Sequence, residues 1–191
     1  VRHLAISVSP QKMKKQVSPR LYDRNYYLNE CDGSVLFNKT YGDALDDRLT
    51  KIASLIQIKP GAVVLDVGCG RGELAIWLAK QGCWVTGIDY SAAAIKIANK
   101  ALQHQPKAIQ RRVKFKRADL NNLRFTPHTF DFVVCVEVLE HIYPDEQDRL
   151  LRQIKILLKP DGYLFIHTAP SRWFLDFTYR FLCYPVVSLI T

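Results

Sequence analysis

Short runs of apolar residues recur along the middle of the chain and predict β-strands. The predicted strands are Ala62–Val67, Trp84–Ile88, Val113–Arg117, Phe130–Val136 and Tyr163–Thr168. The run Phe130–Val136 is almost continuous in apolar residues, which is typical of a central strand buried on both faces of a parallel sheet. Val113–Arg117 alternates apolar and basic residues, and this alternation also indicates a strand.

Between these runs, apolar residues recur at intervals of three and four, which places them on one face of an α-helix. The predicted helices are Asp43–Ile56, Leu74–Lys80, a segment between Ser91 and Pro106, and Pro144–Leu158. Ser91 is suited to cap a helix N-terminus, and Gly82 is suited to end a helix in the left-handed conformation. The repeated alternation predicts an α/β fold: a Rossmann-like, doubly wound, mostly parallel sheet with helices on both faces.

The first 42 residues do not continue this alternation and are predicted to be a leader followed by an arm. Residues 20–42 are rich in tyrosine and contain Tyr22, Tyr26, Tyr27 and Tyr41. This segment is either an arm packed on the core or a lid over a wet pocket, because tyrosine combines an apolar ring with a polar tip. Met13 is the single methionine and resembles a natural start, so we expect residues 1–12 to be a non-native or over-extended leader.

Residues 43–191 are predicted to form one domain. The chain of 191 residues is long enough to bury a core, and its 48% hydrophobic and 24% charged residues are ordinary for a globular protein. Its last residues, 169–191, are strongly apolar, but Asp176, Arg180 and Pro185 argue against a helix that spans a membrane. We expect a helix that flanks the sheet, or alternatively one that faces a bound substrate or a membrane surface.

Charge and cysteine content indicate which binding partners and which cellular compartment to expect. The net charge is +9, and the segment from Tyr90 to Ala118 contains eight lysine or arginine residues but no acidic residue. A solvated basic face is the preferred interpretation, and an anionic membrane, a phosphorylated substrate or RNA are the alternatives. We do not expect a nucleic-acid partner. The five cysteines are far apart without metal-type spacing, which indicates reduced thiols and a cytoplasmic protein.

Alternating glycines after the first predicted strand indicate a binding site. Gly68, Gly70 and Gly72 stand between that strand and the next helix. Glycine there allows a tight turn and lets the backbone approach a ligand, and the free N–H groups of a helix start can hold a polar or anionic group. The spacing differs from the G-x-G-x-x-G of dinucleotide sites, and no Walker lysine-serine pair follows. The loop therefore predicts a different nucleoside-type cofactor.

Acidic residues occur at or just past the carboxyl ends of successive predicted strands. They are Asp66, Asp89, Asp119 and Glu137. In an open doubly wound sheet these ends line the crevice where ligands bind. Asp89 can accept hydrogen bonds from two ribose hydroxyls at once, and Asp119 can accept one from an adenine amino group. The four acids behind a glycine loop strengthen the prediction of a nucleoside site.

From about Asp43 to Ser171 the chain resembles the class I S-adenosylmethionine-dependent methyltransferases of the small-molecule type. The resemblance rests on LDVGCGRGEL at 65–74, GIDYS at 87–91, ADL at 118–120, FDFVVCVEVLEHI at 130–142 and LLKPDGYLFI at 157–166. It implies an enzyme that uses S-adenosyl-L-methionine. The implied cofactor-binding residues are Asp66, Gly68, Cys69, Gly70, Asp89, Tyr90, Asp119, Leu120 and Glu137.

The resemblance also implies individual roles. Gly68 and Gly70 pass the methionine part of the cofactor, with Asp66 near its amino group, while Asp89 holds the ribose. The adenine is flanked by Tyr90 and contacted by Asp119 and Leu120, and Glu137 opens the acceptor side. For Cys69 and Gly72, helix–strand packing is as good an explanation as direct contact.

The segment Glu137-Val-Leu-Glu140-His141 carries the candidate catalytic residues Glu137, Glu140 and His141. Their spacing of three and four brings the side chains together on a turn or helix. His141 or a glutamate is a candidate general base. Alternatively the segment resembles the metal-ligand segment of some quinone-biosynthesis and small-RNA 2′-O-methyltransferases, where Mg²⁺ or Mn²⁺ would suit these ligands. In a third interpretation it merely starts a helix, and a divalent metal is the least favoured of the three.

We predict O-methylation of a small-molecule acceptor of a sugar, lipid or metabolite type. The alternatives are a metal-assisted quinone-type or RNA 2′-O-methyltransferase, and a non-catalytic cofactor-binding subunit. Methylation of a nucleic-acid base amino group is not expected, since Cys135–Val138 lacks the Asn/Asp-Pro-Pro-Tyr/Phe run of those enzymes.

The family's sheet normally closes with an antiparallel hairpin, and no residues remain after 191 to build one. We therefore expect either a chain truncated at its C-terminus or an unusually short member of the family, and truncation is the preferred interpretation. An incomplete edge would expose apolar surface, which predicts homodimers or poor solubility. Peripheral membrane contact is a further expectation.

Overall fold

The computed structural model describes residues 21–168, which form a five-stranded sheet covered by helices. The strands are β1 (Val63–Val67), β2 (Trp84–Asp89), β3 (Val113–Arg117), β4 (Phe130–Val136) and β5 (Leu158–His167). Their order is β3-β2-β1-β4-β5, and each neighbouring pair is parallel. This arrangement confirms the predicted α/β, Rossmann-like sheet. The predicted leader, the apolar segment 169–191 and the question of a closing hairpin lie outside the described residues.

Six α-helices occur in residues 21–168. They are α1 (Ser34–Thr40), α2 (Asp47–Leu55), α3 (Glu73–Lys80), α4 (Ala92–Gln103), α5 (Lys107–Gln110) and α6 (Pro144–Leu157). As predicted, Ser91 caps α4, because its Oγ accepts a hydrogen bond from the Ala94 N–H at 3.2 Å. Helix α2 begins later than predicted, since the Asp46 side chain caps it by accepting from the Leu49 N–H at 2.7 Å. Helices α1 and α5 are short and were not predicted.

Both faces of the sheet are covered. Successive residues of a strand point to opposite faces, so Val64 and Val134 join α3 and α4 in one apolar cluster while Leu65 and Val133 join α6 in a second. All four of these side chains are fully buried, and each such burial contributes about 1.5–3 kcal/mol. The sheet therefore holds its carboxyl-end loops on a rigid base.

Strand β5 is longer than predicted and contains the expected turn as an irregularity. Phe130 pairs with Leu158 but Phe132 pairs with Tyr163, so β5 has extra residues opposite Asp131. The Asp131 carboxylate accepts hydrogen bonds from Lys159 Nζ at 2.6 Å and from the Val63 N–H at 2.8 Å. The bond from Lys159 is the main reason that the pKa of Asp131 is lowered. Asp131 thus ties the irregular start of β5 to β1.

The basic segment predicted between Tyr90 and Ala118 lies on α4, α5 and β3. Lys96, Lys100, Lys107, Lys114 and Lys116 are exposed. Strand β3 is an edge of the described sheet, where charged side chains hinder pairing with another chain.

The cysteines of residues 21–168 are free thiols, as their spacing predicted. Cys69, Cys83 and Cys135 are buried and Cys31 is half-buried, and all four are free thiols. Cys183 lies outside the described residues. No helix within residues 21–168 has the length and apolar character needed to cross a bilayer.

Candidate active site

A cavity of about 640 Å³ lies at the carboxyl ends of strands β1 to β4. Its volume falls in the range of small-molecule and cofactor sites. The predicted residues that line it are Asp66, Gly68, Cys69, Gly70, Asp89, Tyr90, Asp119, Leu120, Glu137 and His141. Glu140 is not among the described residues that line the cavity. The strand order reverses around β1, between β2 and β4, which is where doubly wound sheets bind ligands.

The three glycines of the loop after β1 have different roles. A side chain at Gly68 would overlap Val138, and a Cβ at Gly72 would lie 2.5 Å from Phe115 Cζ. At Gly70, whose φ is +51°, a Cβ would meet only Tyr27 at 3.8 Å among the described neighbours within 4 Å. Packing therefore requires glycine at 68 and 72, which agrees with the packing explanation for Gly72, while Gly68 also lines the cavity. Gly70 is the position that leaves space in the cavity.

Asp66 is a buried carboxyl group at the end of β1. Burial, with the nearby charges of Asp89 and Glu73, raises its pKa to about 7. Its Oδ2 atom has no hydrogen-bond partner within residues 21–168. A buried acceptor without a partner is costly, and a cationic ligand group would satisfy it while favouring the ionised form.

Asp89 lies at the end of β2 and is also buried. Its Oδ1 accepts a hydrogen bond from the Ser91 N–H at 2.8 Å, and its Oδ2 accepts one from the Gly70 N–H at 3.1 Å. Burial raises the pKa of Asp89, and the backbone hydrogen bonds oppose that rise. The carboxylate thus ties the glycine loop to the start of α4. Each oxygen keeps a second lone pair for a ligand hydroxyl.

The cavity continues past the end of β3 to Asp119 and Leu120. Asp119 Oδ1 accepts hydrogen bonds from Asn121 N at 2.9 Å and from Asn121 Nδ2 at 3.1 Å. Arg117 Nε donates to the Tyr90 carbonyl at 2.9 Å, which connects this loop to the end of β2. The loops that carry the predicted adenine contacts are therefore held beside one another.

Tyrosines of the N-terminal arm, residues 21–42, form one wall of the cavity. Tyr22, Tyr26 and Tyr27 line it. The Tyr22 ring lies edge-to-face with Tyr90 at 5.6 Å and with His141 at 5.9 Å between ring centroids. The arm therefore both packs on the core and borders the cavity. Tyr41 does not share this position, because it stacks on His104 at 3.9 Å and is not a described lining residue.

Arg71 joins the arm to the glycine loop and was not predicted as a site residue. Its Nη1 donates to the Tyr27 carbonyl at 3.0 Å and its Nη2 to the Asp32 carbonyl at 2.6 Å. Nη2 also pairs with Glu73 Oε1 at 2.8 Å. The sequence signal that could have indicated a buried pair is the Arg-Gly-Glu run at the helix start.

Glu137 lies just past the end of β4 in an unusual conformation. Its φ of 54° is left-handed, which is uncommon for a residue other than glycine and is enriched at functional sites. Its N–H donates to the His167 carbonyl at 2.8 Å. Its carboxylate forms an ion pair with Arg48 of α2, which also lines the cavity. Arg48 was not predicted from the sequence. Its ion pair with Glu137 stabilises the carboxylate, which disfavours Glu137 as a general base.

Glu137 and His141 both line the cavity, whereas Glu140 is not among the described lining residues. Leu139–His141 is a 3₁₀ turn that follows the left-handed Glu137, so the spacing of a regular helix does not apply. Glu140 accepts a hydrogen bond from Thr168 Oγ1 at 2.8 Å. His141 lines the cavity beside Tyr22. Within the described residues no group of three or more His, Cys, Asp or Glu side chains is arranged to hold a metal ion.

Comparison with known proteins identifies the family. A family model described as a methyltransferase domain matches residues 65–166, more than half of the chain. A ubiquinone biosynthesis O-methyltransferase of Coxiella burnetii is 40% identical over 121 residues, and the match covers 63% of this chain and 49% of that protein. The chain thus spans about half the length of the curated relatives it matches.

Solved structures show the same fold. An S-adenosylmethionine-dependent methyltransferase from Methanosarcina mazei is 32% identical with a TM-score of 0.57, and the match covers 68% of this chain and 61% of that chain. The cyclase SpnF is 31% identical with a TM-score of 0.56, and the match covers 63% of this chain and 44% of that chain.

The cavity residues fit S-adenosylmethionine. The unpartnered Oδ2 of Asp66 suits the ammonium group of the cofactor, Gly70 leaves space beside the backbone, and Asp89 keeps lone pairs for ribose hydroxyls. The predicted family, enzyme class, fold and cofactor are confirmed by the matching family model and the similar structures. The chain belongs to the class I S-adenosylmethionine-dependent methyltransferases.

Proposed function

We propose that this chain holds the cofactor site of an enzyme that methylates a phenolic hydroxyl of a quinone-type acceptor. The observation that carries the proposal is the 40% identity to the Coxiella burnetii ubiquinone biosynthesis O-methyltransferase. This relative supports the quinone type, which was an alternative in the sequence analysis, over the sugar- or lipid-linked hydroxyl that was preferred there. The identity extends over 63% of this chain, so it supports the reaction type more strongly than the detailed acceptor.

The aromatic wall of the cavity supports an aromatic acceptor. The Tyr22 ring lies edge-to-face with Tyr90 and with His141, at 5.6 and 5.9 Å between ring centroids. Aromatic rings attract one another in edge-to-face arrangements and contribute about 0.5–1.5 kcal/mol beyond their buried area. A hydroxylated ring could join this cluster with its hydroxyl directed into the cavity.

Methyl transfer needs little covalent help from the protein. S-adenosylmethionine supplies a methyl group that its sulfonium already activates. The chain's own task is to hold the acceptor oxygen in line with that group, which Asp66, Gly70 and Asp89 support by fixing the position of the cofactor. Exclusion of water by the tyrosines of the arm would strengthen these polar contacts.

We assign the general base to His141. A ring nitrogen of His141 would accept the hydroxyl proton as the acceptor oxygen forms its bond to the methyl carbon and the carbon–sulfur bond breaks. His141 lines the cavity, whereas Glu137 is paired with Arg48 and Glu140 is hydrogen-bonded to Thr168. A positioned base of this kind accelerates proton transfer by about 10²–10⁴-fold.

The test is an acceptor assay with the 191-residue chain, S-adenosylmethionine and simple ring compounds. Catechol and methoxyhydroquinone are the hydroxyl acceptors, and aniline and glucose are matched controls for nitrogen and for non-aromatic oxygen. Mass spectrometry measures the methyl ether and S-adenosylhomocysteine. We expect both products with the phenolic acceptors alone. Methylation of aniline or glucose without methylation of the phenols would refute the proposal, and binding of cofactor without any transfer would favour the non-catalytic alternative.

A further inference from the structure

Arg71 connects two parts of the cavity wall that come from different regions of the chain. It is 3% exposed and belongs to the glycine loop after β1. Its two terminal nitrogens donate to the carbonyls of Tyr27 and Asp32 in the arm, at 3.0 and 2.6 Å. A guanidinium group has five N–H donors in a rigid fork, so a single side chain can hold two carbonyls in a fixed relation.

The surroundings of Arg71 indicate that its function is positional. Its charge is balanced by Glu73, which is also buried, and its guanidinium lies 5.0 Å from the centre of the Phe37 ring. Apolar residues of similar volume often give equal or greater stability than a buried ion pair. What the pair adds here is a directed link between loop and arm, which apolar side chains could not make.

Two of the arm's hydrogen-bonded attachments adjoin Asp89. Arg71 follows Gly70, whose N–H donates to Asp89 Oδ2 at 3.1 Å. On the other side, Ser91 donates its N–H to Asp89 Oδ1 at 2.8 Å and its Oγ–H to the Tyr22 carbonyl at 2.8 Å. A cofactor held by Asp89 therefore lies between the two attachments of the arm.

We propose that Arg71 is a positioning residue that couples the cofactor site to the acceptor side of the cavity. Cofactor bound at Gly70 and Asp89 stabilises the loop, the loop holds the arm through Arg71, and the arm presents Tyr22 to the acceptor. Coupling between two binding sites is reciprocal, so acceptor must tighten cofactor binding by the same factor. The coupling between cofactor and arm requires only that the chain binds the cofactor of its family. The coupling to the acceptor rests on the proposed function.

Two variants test the coupling against a matched control. Arg71→Lys keeps the positive charge but loses the fork. The control is Arg112→Lys. Arg112 also donates to a carbonyl, that of Gly82 at 2.7 Å, and its guanidinium also lies over an aromatic ring, that of Trp84 at 4.9 Å. It is not among the described residues that line the cavity. The double variant Arg71→Met with Glu73→Gln removes both charges, so that no buried glutamate is left unpaired.

Limited proteolysis measures the first half of the proposal. Trypsin cleaves after Arg24 and Lys39, which are exposed residues of the arm. We expect saturating S-adenosylhomocysteine to slow cleavage at these sites by about 5-fold or more in the wild type and in Arg112→Lys. In Arg71→Lys, and in the double variant, the ligand should still bind but give no protection. Equal protection of wild type and both Arg71 variants would overturn the proposal.

Calorimetry measures the second half. The dissociation constant of catechol is determined with and without S-adenosylhomocysteine, and we expect the two values to differ by about 5–150-fold in the wild type and to converge in Arg71→Lys. If the wild type shows protection of the arm but equal catechol affinity in both states, the acceptor half is wrong. If the liganded wild type binds no catechol, the proposed function fails, and proteolysis still decides the link between cofactor and arm.

Discussion

The affinity for cofactor is expected to rise with pH because of the buried carboxyl group of Asp66. Burial is the main cause that raises its pKa to about 7, and the charges of Asp89 and Glu73 add to it. The ammonium group of S-adenosylhomocysteine would pair with the ionised carboxylate but gain little from the neutral acid. Asp66 must therefore release its proton before the ligand binds well, and the affinity should fall as the pH drops below 7.

The size of this effect follows from the pKa. One pKa unit corresponds to about 1.4 kcal/mol or a factor of ten. At about pH 5.5 roughly one Asp66 in thirty is ionised and at about pH 7.5 roughly three in four, so the dissociation constant should be about 25-fold higher at the lower pH, a difference of about 2 kcal/mol. The stability of the ligand-free protein should depend on pH in the opposite direction. The pKa of Asp66 is higher in the folded than in the unfolded chain, so its contribution to the free energy of unfolding is greatest below about pH 4. That contribution falls by about 4 kcal/mol as the pH rises from there through 7.

Isothermal titration calorimetry between about pH 5.5 and 7.5 measures the affinity, and buffers with different protonation enthalpies report the released proton. Asp66→Asn is the control, because it removes the titrating group and keeps the shape of the side chain. Its affinity should be weak and independent of pH, and its free energy of unfolding above pH 7 should exceed that of the wild type. A flat affinity profile in the wild type, or the same slope in Asp66→Asn, would refute the reasoning.

Three further predictions concern single residues of the cavity. Asp89→Ala should abolish detectable binding of S-adenosylhomocysteine and, because it leaves two backbone N–H groups without acceptors, reduce the free energy of unfolding in urea by about 1–3 kcal/mol; retained binding would contradict its assignment. His141→Ala should leave the calorimetric affinity for S-adenosylhomocysteine unchanged and lower the rate of phenol methylation by about 10²–10⁴-fold, and an unaltered rate would exclude it as the base. Gly70→Ala should weaken cofactor binding and lower the free energy of unfolding by only about 1 kcal/mol. Gly68→Ala should mainly lower the melting temperature, because its side chain would overlap Val138. The reverse pattern would contradict the roles given to the two glycines.

Several expectations stay predictions. They include the homodimer, the peripheral membrane contact and the cytoplasmic location. The exposed lysines of α4, α5 and β3 agree with a solvated basic face. The boundary between arm and core at residue 42 also remains a prediction, although Tyr22, Tyr26 and Tyr27 of the arm line the cavity.

Ten of the residues that line the cofactor cavity could be predicted from the sequence, whereas Arg48 and Arg71 could not. Hydrophobic periodicity is a local property, so it located four strands to within one residue at each end and the fifth with too late a start. It also predicted the four longer helices, but not α1 and α5. In a parallel sheet the carboxyl ends of all strands lie on the same side. Asp66, Asp89 and Asp119 were therefore expected to lie together at that side. Their assembly required no knowledge of side-chain contacts.

The links between distant residues were decided by the tertiary structure. The pairing of Arg48 with Glu137 depends on where α2 lies relative to the loop after β4, and the two carbonyls held by Arg71 depend on the path of the arm. The left-handed φ of Glu137 and the 3₁₀ turn at Leu139–His141 are backbone conformations that the sequence pattern did not indicate. The sequence alone thus predicted which residues gather at the candidate cofactor cavity, since their assembly follows from parallel strands and local pattern. Only the folded chain decided which side chains remain available for the acceptor, because ion pairs and hydrogen bonds form between residues that packing brings within about 3 Å.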